Sequence, residues 1–384
     1  MIAALVLAWR QLVHHKVKLC VALAGVAVAV MLMLVQLGIR QGAMDTSVAF
    51  TRRITADAVV VSPRTRTIFS AASFPRRLLH RLRADERIEQ VQEISIAQAR
   101  WRNPWNYFEH PISIYGIPID EPLVELPGYD DHRDDLRPRD RAIFDARSRA
   151  TYGPVVETLA REGAVEVEVN RRRIRVIGSV PVGVSITTDG NLYMTPENFL
   201  RLLPGRPAGA IDLGLVKVRP GADVAAVCHD LQPYLGAEAT IMSSAALVAA
   251  ETAFMRETAP VDFIFGMGAA VGFFIGFVVV YQILYTEVAN QLPKFATLKA
   301  IGFGNGFLLA VVLGQAMILS LLGYVPGFVL AIWLYDVATA AIEMPFFMTA
   351  ERAVMVAGAT VLMCALSAIM AVRKVQSADP ADVF

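Results

Sequence analysis

The chain has 384 residues, a net charge of +1 at neutral pH, 55% hydrophobic and 18% charged residues, and a mean hydropathy of +0.47. Soluble domains carry about a quarter charged residues, so this composition excludes an ordinary soluble globule. The balanced charge leaves no basic surplus for nucleic acid, and three cysteines with six scattered histidines give neither a disulfide framework nor metal-ligand spacing.

Residues 1–18 read as a cytoplasmic amphipathic helix. Leu5, Trp9, Leu12 and Val13 fall at helical spacing, with Arg10, Gln11 and His14 away from them. Such a helix lies in the membrane interface, with tryptophan at headgroup level. Charge-free apolar runs follow at residues 19–39, 263–285, 307–335 and 353–372. Each meets the requirement of about 20 apolar residues for a hydrocarbon core of about 30 Å, so four transmembrane helices are expected. The first run exceeds the about 7–15 apolar residues of a cleavable signal and reads as a retained signal-anchor.

Basic residues near the span ends set the orientation. Arg10, Lys16 and Lys18 precede the first span, Lys294 and Lys299 lie between the second and third, and Arg373 and Lys374 follow the fourth. Both termini, residues 286–306 and the tail 373–384 are therefore expected in the cytoplasm. The segment 40–262 and the short loop 336–352 are expected in the periplasm.

Small residues in the spans carry a packing signal. Gly25 and Ala29 are four apart in the first span, and Gly268, Gly272 and Gly276 form a tandem G-x-x-x-G ladder in the second. This spacing lets helix backbones approach closely, either between the first two spans or across a dimer. In the third span Pro326, flanked by Gly323 and Gly327, is expected to kink the helix. The strongly polar residues inside the spans are Gln36, Gln282 and Gln315, too few for a hydrophilic pore or proton relay.

Residues 40–262 contain 28 Lys and Arg against 29 Asp and Glu, the balance of a near-neutral globular domain. Strand-like runs occur at 58–62, 93–101, 111–117, 164–169, 173–180, 213–219 and 239–242, with a hairpin turning through Asn170. Helix-like runs occur at 74–83, 196–203 and 222–235. This order fits an α+β domain of ferredoxin-like type with an insertion at about 121–206. The charged stretch 130–149 reads as a solvated loop or a surface for a partner. Residues 41–52 continue the first span outward, and a helix from 245 to 258 runs past Pro260 into the second, which together make a helical stalk.

Residues 286–306 read TEVANQLPKFATLKAIGFGNG. Pro293 suits the first position of a short helix, where its missing N–H costs nothing, and Gly302 supplies the stop. Phe295, Leu298 and Ile301 share one side of that helix, with Lys294 and Lys299 on it as charges; Ala296, Thr297 and Ala300 give the other side a low profile. A small helix of this kind at a membrane exit is a docking element or a simple re-entry turn. Nowhere does a G-x-x-x-x-G-K-[ST] loop or a G-x-S-x-G elbow occur, so neither P-loop ATP binding nor a hydrolase nucleophile is expected.

One span, a large extracytoplasmic domain and three further spans resemble the layout of FtsX/MacB-type ABC transporter permeases. The segment LPKFATLKAIGFGNGFLL at 292–309, the N-terminal AWRQLVHHKVKL and the C-terminal ADPADVF resemble the DevC subgroup most closely. The resemblance implies a homodimeric, non-enzymatic membrane subunit in membrane lipid of the bacterial inner membrane. Its cytoplasmic segment, through Pro293, Lys294, Phe295, Leu298, Lys299 and Gly302, would dock on a separate ABC ATPase subunit that binds the ATP. ATP-driven closure would then pass along the stalk, a mechanism called mechanotransmission. A periplasmic membrane-fusion adaptor, a TolC-type outer-membrane channel and a glycolipid or other hydrophobic substrate are implied for the DevC group. An FtsX-like regulator of cell-wall hydrolases, a lipoprotein-releasing permease and a plain structural anchor are the alternative readings. No fused ATPase domain of the MacB kind is expected, so the nucleotide-binding partner is expected in trans.

Overall fold

A computed structural model describes residues 2–14, 16–183, 189–258, 261–300, 305–342 and 346–376. The chain divides into two units: Met1–Gly42 with Val261–Phe384, which is helical, and Ala43–Pro260, which is built on sheets. The amphipathic N-terminus is helix α1 (Ile2–His14), and the first apolar run lies within α2 (Lys16–Ser47), which continues eight residues past the expected end of the span. No proline interrupts α2, and the residues after Ile39 are tolerant of helix.

In the sheet unit the apolar run AVVV forms β1 (Ala58–Val61), buried at every position. Then come β2 (Phe74–Pro75), α3 (Arg77–Leu82), β3 (Ile88–Arg102), β4 (Glu109–Gly116), α4 (Arg133–Leu136), β5 (Arg141–Asp145), α5 (Val155–Glu162), β6 (Val165–Val169) and β7 (Arg172–Val180). The unit closes with β8 (Asn191–Met194), α6 (Pro196–Leu202), β9 (Ala210–Ile211), β10 (Leu213–Val218), α7 (Val224–Leu235), β11 (Thr240–Ser243) and α8 (Ser244–Thr258). The helix starts are chemically marked. Thr195 accepts a hydrogen bond from the Asn198 amide ahead of α6, which has proline in its first turn, and Asp223 accepts from the Ala225 amide ahead of α7.

Strands β11, β1, β10 and β3 lie side by side in that order, each antiparallel to its neighbour. With α3 following β1 and α7 following β10, this is the βαββαβ order of a ferredoxin-like fold. Val60, Leu79, Val91, Val216, Val227 and Leu231 meet in the core between this sheet and its two helices.

Strand β3 is fifteen residues long and serves two structures. Its first half pairs with β10, and Ser95–Arg102 pair with β4. From there the neighbours run β4, β8, β5, β7, β6, and β6 pairs back onto β3 at Trp101 and Arg102. The inserted strands therefore close into a six-stranded barrel, which leaves no unpaired edge within it. Trp101 fills it, 5.4 Å from the Phe144 ring and 5.8 Å, edge-on, from Tyr152. The insertion thus begins with β4 at Glu109, ahead of the expected position 121. The expected boundary failed because β3 gives no break in sequence where it passes from one structure to the other. Strand β5 lies inside the stretch read as a charged loop, its AIF core hidden between arginines and aspartates. The hairpin of β6 and β7 turns through Asn170 and Arg171, both at positive φ (50° and 63°), as a tight two-residue turn requires.

Returning to the helical unit, α9 spans Val261–Ala300, α10 spans Asn305–Ile342 and α11 spans Ala350–Gln376. Together with α2 they are, among the described residues, the four helices long and apolar enough to cross a membrane. Helix α10 runs on through Pro326. Helix α9 runs on through Pro293, where a separate short helix was expected to begin. Nothing from Thr286 to Leu292 breaks a helix, and proline removes only one backbone bond there. Residues 259–260, between α8 and α9, lie outside the described residues. Helix α1 packs on α10 through Ala8 and Val311, both fully buried, while Trp9 is half exposed. Its packing face is thus centred on Ala8 and Leu12, not on Trp9.

Candidate functional site

The glycines singled out in the sequence line one contact within the chain. A Cβ on Gly25 would strike Val279, one on Gly276 would stand 2.6 Å from the Ala29 Cβ, and one on Gly272 would stand 3.2 Å from the Leu32 Cβ. Gly268 lies beneath the Gln36 side chain. As the numbers rise on α2 they fall on α9, so the two helices cross antiparallel with the small residues at their seam. Gly323 and Gly327 of α10 lie against Val26, Ala27 and Val30 on a second side of α2. Between them α2 is buried among Val280, Leu319 and Met363.

Polar groups gather toward the two ends of this bundle. Near one end Lys18 Nζ is 3.9 Å from Glu287 Oε2, and Glu287, itself buried, accepts a hydrogen bond from the Gln291 side chain one turn on. There Gln315 Nε2 also donates to Gln11 Oε1 at 2.9 Å, tying α10 to α1. Toward the other end Arg40 Nε donates to Asp262 Oδ1 at 2.7 Å. Buried Arg352 donates to the Phe347 carbonyl at 2.9 Å and to the Tyr335 hydroxyl at 3.2 Å, and that hydroxyl donates to the Leu34 carbonyl beside Gly38. Buried arginine is tolerated only where its N–H groups are met in this way.

Of the expected docking residues, Pro293, Lys294, Phe295, Leu298 and Lys299 form the last two turns of α9; their side chains lie outside the description, as does Gly302 altogether. Glu287 precedes these turns on α9, so Lys18 of α2 stands beside the base of the segment. In the sequence Glu287 stands in the segment 286–306 with no partner evident. The available signal was a lone acid at one span end and a lysine at the start of another.

In the sheet unit three carboxylates are buried. Glu251 on α8 accepts from Thr51 Oγ1 at 2.5 Å, the Ile68 amide at 2.7 Å and Thr67 Oγ1 at 3.3 Å. Asp145 accepts from Asn191 Nδ2 at 2.8 Å and from the amides of Arg147, Val182 and Gly183. Asp212 accepts from Arg206 Nη2 and the Ile96 amide, both at 2.6 Å, and from Ser73 Oγ at 2.8 Å. Burial pushes all three above the ordinary carboxylate range, against the pull of these donors. Asp140 is the reverse case, held well below that range by Arg172 and Arg201 at 2.7 and 3.0 Å. Burial also raises the Cys228 thiol. Among the described residues no group of three or more His, Cys, Asp or Glu gathers as a metal site would need.

Comparison with known proteins places this architecture. The model of the MacB-like periplasmic core domain matches residues 19–234, and that of the FtsX-like permease C-terminal region matches residues 258–380. Uncharacterized ABC transporter permeases from two Mycobacterium tuberculosis strains (CDC 1551 / Oshkosh and ATCC 25618 / H37Rv) are each 24% identical over 235 residues. The match covers 59% of this chain and 59% of each relative, so the chain spans less than two thirds of their length. Among solved structures, the periplasmic region of MacB from Actinobacillus actinomycetemcomitans is 15% identical, with a TM-score of 0.35 over 51% of this chain and 92% of that one. The extracellular domain of the noncanonic ABC-type transporter YknZ from Gram-positive bacteria is 15% identical, with a TM-score of 0.32 over 49% and 99%.

Proposed function

Because the chain belongs to the FtsX/MacB-type ABC transporter permeases, we propose that it is the membrane subunit of an exporter of mechanotransmission type. A separate ATPase subunit binds and hydrolyses ATP and docks on the last turns of α9, through Pro293, Lys294, Phe295, Leu298, Lys299 and Gly302. The protein works as a homodimer in the bacterial inner membrane, with both termini in the cytoplasm and the sheet unit in the periplasm. The sheet unit engages a membrane-fusion adaptor and, through it, a TolC-type channel, for export of a glycolipid or another hydrophobic molecule.

The observation that carries this reading is the filled interior of the helical unit. Between its polar ends the bundle is packed with Val26, Ala29, Val30, Val280, Leu319, Met363 and their neighbours, and glycines bring the backbones into contact. Among the described residues no polar track runs through it, as a hydrophilic substrate would require. Work done at α9 would instead reach the periplasm as movement of packed helices, which interdigitated side chains transmit rather than absorb.

The test is co-purification from membranes in mild detergent. An ATP-binding subunit and a periplasmic adaptor are expected with the wild-type chain. The double variant Phe295→Asp/Leu298→Asp should insert normally and lose the ATPase. Retention of the ATPase at the wild-type ratio would remove α9 as the docking element. A cell-wall hydrolase in place of the adaptor would favour the regulator reading.

A further inference from the structure

Helix α9 has a second face, opposite in character to its glycine seam. Ile264, Met267, Val271, Ile275 and Val278 are exposed, from 44% to 51%, at intervals of three and four residues. That is the spacing by which one helix packs along another. On the same line, four residues beyond Val278, stands Gln282, also exposed. Its backbone carbonyl accepts from Thr286 Oγ1, but its carboxamide has no partner among the described residues. The other two glutamines of the spans are covered: Gln315 is bonded to Gln11, and Gln36 lies over Gly268.

Gln282 sits eight residues from the centre of the charge-free run 263–285. At 1.5 Å per residue that is about 12 Å from the midplane, inside a half-thickness of about 15 Å. Hydrocarbon cannot satisfy an amide there. A carboxamide is both donor and acceptor, so two copies related by a two-fold axis satisfy each other through the same residue.

We propose that the outward face of α9 is where a second copy of this chain packs, with Gln282 hydrogen-bonded to the partner's Gln282. The proposal rests on the homodimeric reading above and adds the surface that forms the dimer. The same helix then holds α2 with its glycines and the second copy with its outward row.

Disulfide trapping in native membranes tests it. In a full-length chain with Cys20, Cys228 and Cys364 changed to serine, Gln282→Cys and Val278→Cys should each give a covalent homodimer on oxidation. Bridging requires Cα atoms within about 7 Å, so Val325→Cys on α10 and Leu362→Cys on α11 should give none. In the unlinked protein Gln282→Leu should weaken dimerisation in bilayers roughly threefold, and Gln282→Asn should restore part of it. A homodimer at Val325 or Leu362 but not at α9, an adduct with a different protein, or dimerisation unchanged in Gln282→Leu would overturn the proposal. Val278→Cys carries the test if Gln282→Cys fails to insert. Co-purifying ATPase is measured in the same membranes. Its presence without α9 cross-links rejects the surface and spares the permease reading; its absence with α9 cross-links does the opposite.

Discussion

The seam between α2 and α9 makes a quantitative prediction at Gly276. A Cβ added there would lie 2.6 Å from the Ala29 Cβ and 2.5 Å from the Met363 sulfur. Carbon atoms rest at about 3.5–4.0 Å, so the Gly276→Val variant demands roughly 1 Å of helix separation. Met363 can swing its thioether aside, but the Ala29 Cβ is fixed to the backbone of α2. Overpacking of this sort costs about 1–3 kcal/mol, and the two extra methyls of valine place it near the upper end. Gly266 is the matched control: on the same helix, nothing lies within 4 Å of its added Cβ. The Gly266→Val variant should stay within about 0.5 kcal/mol of wild type. The assay is loss of helical circular dichroism as purified protein in mild detergent is titrated with dodecyl sulfate. A difference of about 2 kcal/mol between the variants is roughly thirtyfold in the folding equilibrium. Equal stability of the two would show that α2 and α9 do not meet at this seam.

Two further outcomes follow from buried polar groups. Changing Glu251 to Ala strands the Ile68 amide with Thr51 and Thr67, which should cost about 2–3 kcal/mol and speed hydrogen exchange at Ile68 by roughly thirtyfold or more. Glu251→Gln should cost less and should also change the pH dependence. Because the folded-state pKa of Glu251 is raised by burial, its favourable term is complete below the unfolded value of about 4.3 and is lost as pH rises through the folded value. Exchange at Ile68, corrected for intrinsic rate, should therefore rise with pH less steeply in Glu251→Gln than in wild type. Removing Arg352 with Arg352→Leu deletes two donated bonds and should lower stability by about 1–3 kcal/mol in the dodecyl sulfate titration; an unchanged midpoint would mean that the arginine sits in water.

What the sequence disclosed depended on periodicity. The four spans were legible because runs such as VALAGVAVAVMLMLVQLGI leave one physical solution for about 20 residues in lipid. The ferredoxin-like order was legible because β1 and β10 are valine- and leucine-rich runs between turn residues, and α7 is bounded by Asp223 and Gly236. The barrel was not. Its β5 shows three apolar residues between charges, its β8 is buried on both faces and so does not alternate, and β3 changes partners without a break. Closure depends on Trp101 meeting Val169, a pairing across 68 positions that no local pattern encodes. Gly25, Ala29, Gly268, Gly272 and Gly276 were legible as packing residues, while their mates followed only from register. The end pairs Arg40 with Asp262 and Lys18 with Glu287 were hidden for the same reason, since each residue alone looks like a solvated charge.

The chain passes between its two units twice, at Gly42–Ala43 and at Pro260–Val261. In each unit the segments next to those crossings are tied to one another. In the helical unit the tie is Arg40 with Asp262, two side chains about a third exposed; solvent-screened pairs of this kind contribute about 0–1 kcal/mol. In the sheet unit the tie is Glu251 with Thr51, Thr67 and Ile68, buried and met by three donors. Breaking it leaves several groups unpaired in a dry site and costs more. Under the proposed mechanotransmission, a push along α9 would meet a stronger polar tie on the sheet side of the crossing than on the helical side. The sheet unit would keep its two connections together, while on the helical side the glycine seam of α2 and α9 would carry the load that the Arg40–Asp262 pair does not.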